Sequence, residues 1–417
     1  MFPWDFTELE ELNLDESEKE VLRQQQISME APGTILKDFT MLLSFIADFG
    51  NKGVQVSRNQ NFLPMKYLAE LNSRLAHPVE INLKRPQQKA FPHLHGLYLL
   101  LRASTLTYVE PSGSKFFLRL NSPVFASWEK LNPTERYFTL LQAWWIWGDL
   151  EILGQRSGFD VLEQCWMFWN HLPQTKKKQL TAINQNWYKR QLGLDQIALF
   201  EMFGLLEVQS QKGQNLSQWQ LVSLKKTAFG NALLKLILLL AEQNDQQEEE
   251  LNQEEEPELS AYWLEDLQPF FPEVKNYLCV PFVSAVEGVY IFKVSLGNIW
   301  RRLAIDSDYT LYDLSSLILD SFNFDDDHLH QFSFKSPYGS TVTVHHPSSH
   351  ETPLTDEFQV VDLSGSLKPG QKLTYIFDFG YYWQFDVKLE RVEPKTSPIQ
   401  NWTLDKKDFV SVKYTLN

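Results

Sequence analysis

The feature that most constrains the fold is the alternation of large apolar residues with smaller or polar ones near the C-terminus. In the run YIFKVSL (290–296), every second residue, beginning with Tyr290, is large and apolar. This two-residue period is typical of a strand that buries one face. Further strand-like runs follow at IWRRLAI (299–305), LTYIFDFG (373–380) and WQFDVKLER (383–391). The pattern predicts a sheet in this part of the chain.

A single helix is predicted between these strands, in the run TLYDLSSLILDSF (310–322). One stripe of this helix contains Leu311, Leu314, Leu317, Ile318 and Phe322. Thr310 followed by Asp313 resembles a capping box, which satisfies backbone donors at a helix start. The order of elements predicts an α+β domain over 285–417, in which one helix covers a mostly antiparallel sheet.

The core of this domain is predicted from the same periodicity. Each side chain of the core lies on the apolar face of its own strand or helix, and the helix is the element available to cover the sheet. The predicted members are Trp300, Leu314, Ile318, Phe332, Tyr375, Phe377 and Trp383.

The same stretch resembles the plasmid pRiA4b open-reading-frame-three family, whose pattern is IWRR, TLxxLH, GWxDxHLxxF and YxYDFGDxW. The resemblance covers about 285–395 and includes IWRR, TL, DxHLxxF, DFG and Trp383. Ser315 stands where the family has a histidine, and Tyr381 with Tyr382 where it has Gly-Asp. The Gly-Trp pair of the family is also replaced, by Asn-Phe at 323–324. Because the family is associated with plasmids and insertion elements, the resemblance implies a fold and a genetic context, but no particular activity.

A partner-binding site is predicted on this domain. Strand alternation sends the side chains of neighbouring arginines to opposite faces. One arginine is expected to pair with Asp378 or with the acids at 325–327, and the other to be exposed beside aromatics, where it could recognise a peptide or a phosphate. Asp378 is expected to cap a turn in which Gly380 takes a positive φ. The candidates are Arg301, Arg302, Asp378, Tyr381 and Tyr382.

A metal site is the weaker hypothesis for the same region. Carboxylates and imidazoles this close in sequence could bind a divalent cation. The simpler interpretation is a solvated turn followed by a hydrogen-bonded core histidine. The candidates are Asp325, Asp327, His328 and His330.

The N-terminal half of the chain is basic, whereas the rest is acidic. Residues 21–241 contain 24 lysines and arginines against 15 acids, although the whole chain has a net charge of −15. Helical patterns followed by a β-hairpin occur over 35–131, which is the order of a winged helix. A similar order is predicted over 132–241. We therefore predict an α-helical, winged-helix-like N-terminal block of two units.

A winged helix can place one helix in the major groove of DNA and its hairpin over the backbone. Basic and amide residues precede the third helix of each predicted unit and lie in each hairpin turn. The DNA-binding candidates are Arg85, Gln87, Gln88, Lys89, Lys115, Lys189, Arg190 and Lys212.

Three segments connect or precede these domains. Residues 1–34 form an acidic leader, and 242–260 form a linker in which 242–258 has nine acids and no base. Such a run cannot bury enough apolar surface to fold alone. Residues 261–284 are expected to dock against the C-terminal domain. The leader lacks the layout of a signal peptide, and the two cysteines form no CxxC pair, so a cytoplasmic protein with no membrane contact is predicted.

The function predicted from these patterns is a non-enzymatic DNA-binding or regulatory protein linked to a mobile or accessory genetic element. The basic half would bind duplex DNA, and the α+β half would bind a partner. Two alternatives stay open: a protein-interaction adaptor that does not bind nucleic acid, and a metal-dependent enzyme. No P-loop, Rossmann glycine pattern, nucleophile elbow or HExxH motif is present. No catalytic residue and no cofactor are therefore predicted, and the oligomeric state is left open.

Overall fold

The chain folds into two compact units, Met1–Pro281 and Phe282–Asn417. The computed structural model describes residues 13–113, 115–146, 148, 152–153, 161–173, 178–180, 182–211, 213, 216–250, 263–280, 286–335, 341–349, 353–395 and 402–407. Among the helices of this described part, none has both the length and the apolar character that a membrane crossing requires.

The first unit begins with helix α1 (Glu16–Gln24), whose Glu18 is paired with Lys235 at 2.6 Å between Oε1 and Nζ. The next elements run helix, strand, helix, helix and then a hairpin of two strands: α2 (Ile35–Ala47), β1 (Val54–Val56), α3 (Met65–Arg74), α4 (Pro92–Ala103), β2 (Thr107–Ser112) and β3 (Lys115–Leu120). The three strands are antiparallel, in the order β1-β3-β2.

The second half of this unit repeats the order. Helices α5 (Ser122–Trp128) and α6 (Pro133–Trp145) lead into α7 (Val161–Asn170), β4 (Lys178–Gln179), α8 (Ala182–Gln191), α9 (Leu194–Met202), β5 (Leu206–Ser210) and β6 (Leu221–Lys226). The sheet order is β4-β6-β5, which matches β1-β3-β2 position for position. Helix α10 (Ala228–Glu250) follows and continues into the segment predicted as an acidic linker.

The two halves are joined by close packing of α4 on α9. All twelve residues of α4 are buried. Gly96 lies at the contact, where a Cβ atom would come within 2.9 Å of the Asp195 carbonyl oxygen and 3.1 Å of Leu199 Cγ. Polar groups also cross the contact, since His93 Nε2 lies 2.8 Å from Glu201 Oε2. Helices α4 and α9 therefore form the interior of the unit.

The segment after the linker packs on this first unit. It contains α11 (Leu264–Leu267), followed by turns and an irregular stretch. The buried Glu135 Oε1 accepts hydrogen bonds from the backbone nitrogens of Lys275, at 3.0 Å, and Asn276, at 2.8 Å. The Phe271 and Phe138 rings lie 4.8 Å apart. These contacts place the described residues 263–280 on the first unit, where their backbone donors satisfy the buried carboxylate of α6, whereas the sequence predicted docking of 261–284 against the C-terminal domain.

The second unit is an antiparallel sheet with a helix, as predicted. Its elements are β7 (Val289–Leu296), β8 (Ile299–Asp306), α12 (Leu311–Phe322), β9 (His330–Lys335), β10 (Thr341–His345), β11 (Lys372–Phe377), β12 (Trp383–Glu393) and β13 (Trp402–Lys407). The described strands form a seven-stranded sheet in the order β10-β9-β11-β12-β7-β8-β13. The capping box of Thr310 and Asp313 starts α12, and Asn323 ends it in the left-handed conformation.

The core of this unit contains most of the predicted residues. Leu314, Ile318, Phe332, Tyr375 and Phe377 belong to one buried cluster, and the half-buried Trp383 packs against it. Trp300 does not belong to it, which corrects the prediction. On β8, Leu303 and Ile305 enter the core, so residue 300 lies on the opposite face. Its ring is there contacted by Lys293 and Arg302.

The role of Gly96 can be tested by adding one methyl group. A Gly96→Ala substitution should lower the free energy of unfolding, because the new Cβ meets a backbone oxygen that cannot rotate away. Overpacking typically costs about 1–3 kcal/mol. This cost matches or exceeds the roughly 1 kcal/mol by which alanine stabilises a helix relative to glycine. Thermal denaturation of the full chain would measure the change.

The matched control is Gly213→Ala, since a Cβ at Gly213 would meet no atom of the described residues within 4 Å. An increase in melting temperature for Gly96→Ala would contradict the tight contact between α4 and α9.

Candidate functional site

A cleft in the first unit collects most of the predicted DNA-binding residues. It has a volume of about 1000 Å³. Arg85, Gln87 and Lys89 line it from the segment before α4, and Lys189 and Arg190 line it from the end of α8. All five side chains are exposed. Residues that lie about 100 positions apart in the sequence thus face one cavity. We call these five residues the basic rim.

The other three candidates lie elsewhere. Gln88 is only 1% exposed, and its Oε1 accepts a hydrogen bond from the Leu63 nitrogen at 2.8 Å, so this side chain is not available to DNA. Lys115 is exposed at the start of β3 and does not line the cleft. Lys212 lies outside the described residues.

The N-termini of two helices lie at the cleft. Pro92 begins α4, and Gly193 and Leu194 begin α9; all three residues line the cavity. Neither helix start is capped by a side-chain hydrogen bond. Because the N-terminus of a helix carries a partial positive charge, both helices add to the field of the rim. Asp195 opposes this field from the first turn of α9, and burial raises the pKa of its carboxyl.

Sequence reasoning missed the inner wall of this cleft. His95, Leu99 and Trp219 line it, although each is almost fully buried. The Nδ1 atom of His95 lies 3.0 Å from Nε2 of Gln88. A histidine in an apolar helical pattern carries no sequence signal that distinguishes a cavity wall from a core position, so these residues could be found only from the fold.

An aromatic turn in the second unit is the other candidate surface. The Asp378 carboxylate accepts hydrogen bonds from the backbone nitrogens of Gly380, at 2.9 Å, and Tyr381, at 3.3 Å, as predicted for a capping residue. The positive φ angles lie at Asp378 and Tyr382 rather than at Gly380, which corrects the expected conformation. The turn exposes Phe379, Tyr381 and Tyr382 to 48%, 76% and 57%.

The two arginines of β8 do not extend this surface. Arg301 is buried, donates to the Ser321 carbonyl oxygen at 2.8 Å and lies over the Phe322 ring. Arg302 lies on the opposite face, as predicted, and pairs with Glu390 at 2.6 Å between Nε and Oε2. Within the described part of the chain, no ion pair joins either arginine to Asp378 or to the acids at 325–327, so the predicted pairing is wrong.

The metal candidates divide between surface and interior. Asp325 and Asp327 are exposed. His328 is exposed too, with Nδ1 2.6 Å from Asp327 Oδ1, and the hydrogen bond raises the pKa of His328. His330 is buried, 3.2 Å from Ser315 Oγ and 3.1 Å from Thr355 Oγ1. In the residues that the structure describes, no group of three or more potential ligands is arranged to hold a metal ion.

Buried His330 belongs to a polar network inside the core. Ser315 Oγ lies 2.6 Å from the Tyr375 hydroxyl and within reach of His330 Nδ1. Burial, with a smaller contribution from His346, lowers the pKa of His330 to about 3. The imidazole is therefore neutral at physiological pH, and its role is to satisfy the hydroxyls around it.

These elements define the second unit as a small α+β domain with a buried Ser-His-Tyr network and an exposed aromatic turn. Residues 289–405 match the family described as plasmid pRiA4b ORF-3-like protein, which confirms the resemblance found in the sequence.

Among solved structures, the chain is similar to a protein of unknown function from Methanosarcina mazei Go1. The two sequences are 28% identical over 27% of this chain and 66% of the other, with a TM-score of 0.24. No protein with curated annotation matches the chain.

The buried histidine predicts a pH dependence of stability. In the unfolded chain His330 takes up a proton near its usual pKa of 6.5, whereas in the folded chain it does so only near 3. The unfolded state therefore binds more protons in this window, and the free energy of unfolding should fall by up to about 1.4 kcal/mol per pH unit as the pH decreases from 6.5 towards 3. A His330→Gln substitution should reduce this slope, as measured by calorimetry of the full chain between pH 7 and pH 4.

The control is His171→Gln, which removes an exposed histidine elsewhere in the chain. Equal slopes for the wild type and His330→Gln would show that His330 is not the group that takes up the proton on unfolding.

Proposed function

We propose that this chain is a non-enzymatic nucleic-acid-binding protein whose basic rim contacts the phosphate backbone and whose C-terminal domain is of the pRiA4b ORF-3-like kind. The observation that carries the proposal is the convergence of Arg85, Lys89, Lys189 and Arg190 on one cleft. Phosphate contacts by such side chains supply most of the affinity of non-specific nucleic-acid binding.

The repeated order of helices and strands supports the winged-helix interpretation of both halves. The order helix, strand, helix, helix, strand, strand occurs twice, each time with the same sheet order. The burial of α4 against α9, however, removes the third helix of each half from the surface. Nucleic acid would therefore be bound by the cleft at the helix starts rather than by a helix in the major groove.

The C-terminal domain supports a link to a mobile or accessory genetic element, because the description of the matched family names a plasmid. In this proposal the protein acts in the cytoplasm, on nucleic acid and without a membrane partner.

The proposal predicts a specific loss on removing two rim charges. Arg85→Ala combined with Arg190→Ala should lower the affinity for labelled DNA about tenfold at low salt. The slope of log affinity against log salt concentration should fall by about two, since two phosphate contacts are lost. Fluorescence anisotropy at several salt concentrations would measure both quantities.

The control is the double variant Lys37→Ala with Lys130→Ala. It removes the same total charge from exposed positions outside the cleft. An equal loss in the control, or an unchanged slope in the rim variant, would show that the cleft is not the binding surface.

A protein-interaction adaptor is the second candidate, and the aromatic turn favours it. Exposed tyrosines are common at the centres of protein interfaces because they bury much area at low entropic cost. Here three exposed aromatic rings are held by a turn that Asp378 fixes. No described group favours the third alternative, a metal-dependent enzyme.

The adaptor hypothesis predicts that Tyr381→Ala with Tyr382→Ala abolishes capture of a partner while leaving the melting temperature unchanged, since both rings are exposed. A pull-down with the full chain from nuclease-treated extract would measure this loss. The control is Tyr309→Ala, which removes an exposed ring elsewhere on the same unit. Equal capture by all three proteins would rule the turn out as the interface.

A further inference from the structure

We propose that the cleft holds one unpaired nucleotide of a nucleic-acid strand, with the base inside the cavity and the flanking phosphates on the basic rim. This inference rests on the proposed function and names the form of nucleic acid that the cleft accepts.

The cavity wall contains a hydrogen-bond donor whose position the surrounding structure fixes. The backbone N–H of Leu63 can only donate, so Gln88 Oε1, 2.8 Å away, is the acceptor. The other end of the same amide, Nε2, must then donate to His95 Nδ1 at 3.0 Å. A neutral imidazole that accepts at Nδ1 carries its proton on Nε2.

The Nε2–H of His95 therefore has a defined role in the cavity. The His95 side chain is 6% exposed and lines the cleft, and Nε2 has no hydrogen-bond partner among the described residues. An unpaired N–H on the wall of a cavity can donate to an acceptor on a bound ligand. Burial lowers the pKa of His95 to about 3, so this donor is neutral and permanent at physiological pH.

The residues that line the cleft divide into two zones. The outer zone is cationic and exposed, as expected for contact with phosphates. The inner zone contains His95, Leu99, Met167 and Trp219, which together offer apolar surface and neutral N–H donors. A base presents an apolar face and acceptor edges, so it fits the inner zone, whereas a phosphate fits the rim.

The size and concave shape of the cleft also fit a single nucleotide. A volume of about 1000 Å³ is that of a small-molecule pocket and accommodates a nucleotide. In a duplex the bases are paired and stacked inside the helix, so none can enter a concave site without being extruded. A single strand can place a base in the cavity at little cost. The cleft should therefore prefer unpaired nucleic acid.

Asp195 limits the depth at which a phosphate can bind. Its carboxylate lies in the first turn of α9 and lines the same cavity as the four cations. Repulsion between the carboxylate and a phosphate keeps the phosphate at the rim and leaves the interior to the neutral base. The placement of charge thus favours the same orientation of the nucleotide as the placement of the His95 donor.

The test uses the full chain and one labelled oligonucleotide of mixed sequence, free or annealed to its complement. At low salt the single strand should bind at least about tenfold more tightly than the duplex, since a base packed against apolar or aromatic side chains adds affinity that phosphate contacts do not. A nucleoside monophosphate as competitor should act only at far higher concentration than the strand, because it lacks the flanking phosphates. Equal affinity for strand and duplex, or competition by the monophosphate at strand concentrations, would overturn the proposal.

Two substitutions at one position separate the donor from the fold. His95→Asn keeps an acceptor for Gln88 but removes the donor from the cavity, and should lower single-strand affinity about five- to tenfold without changing duplex affinity. His95→Gln keeps a donor at the Nε2 position and should stay within about twofold of the wild type. Equal affinities for both variants would overturn the role of His95.

A measurement on the unmodified protein covers the case in which these variants unfold. A single strand that contains 2-aminopurine should become shielded from acrylamide quenching on binding, and unchanged quenching would overturn the proposal. The absence of binding to any nucleic acid would instead refute the proposed function itself, and the two failures are thereby distinguishable.

Discussion

The contact between α4 and α9 is the interaction on which the first unit depends. Gly96 brings the two helices so close that a single Cβ atom would meet the Asp195 carbonyl oxygen. The helices are the corresponding elements of two repeated halves, so their packing joins the halves into one core. Because interiors are packed at crystal-like density, a contact this tight fixes the relative position of the two halves.

This packing also explains where the cleft lies. When two helices pack side by side, their starts can be brought close together, and here Pro92 and Gly193 line the same cavity. The basic segments that lead into these regions then meet at its rim. Each half alone would have only a modest excess of positive charge. Packed together, the two halves form a concave site in which cations from both act together. The same arrangement buries the helix surfaces that an isolated winged helix would present to DNA.

In the second unit a buried polar network takes the place of a purely apolar core under α12. His330 is held between Ser315 and Thr355, and Ser315 also contacts the Tyr375 hydroxyl. Each polar atom in this chain of contacts has a partner, which is the condition under which a buried network is tolerated. The aromatic turn lies outside this network, and its backbone takes the left-handed conformation at Asp378 and Tyr382.

The sequence by itself determined the local elements. Alternation located β7 and β8, the capping box of Thr310 and Asp313 located the start of α12, and helical stripes located α2, α3 and α4. These features depend on residues that are close in the chain, so a single sequence carries them. The family resemblance was found in the same way, since its motifs are short and local.

Only the tertiary structure decided which faces are covered and which residues meet. Trp300 lies outside the core because α12 covers the other face of β8. Gln88, which the sequence predicted to contact DNA, is buried. The tertiary structure also brought Arg85 and Arg190 to one cleft and His95 to its wall. Such pairings depend on the long-range packing of one helix on another, and no local pattern of residues specifies which buried face will meet which.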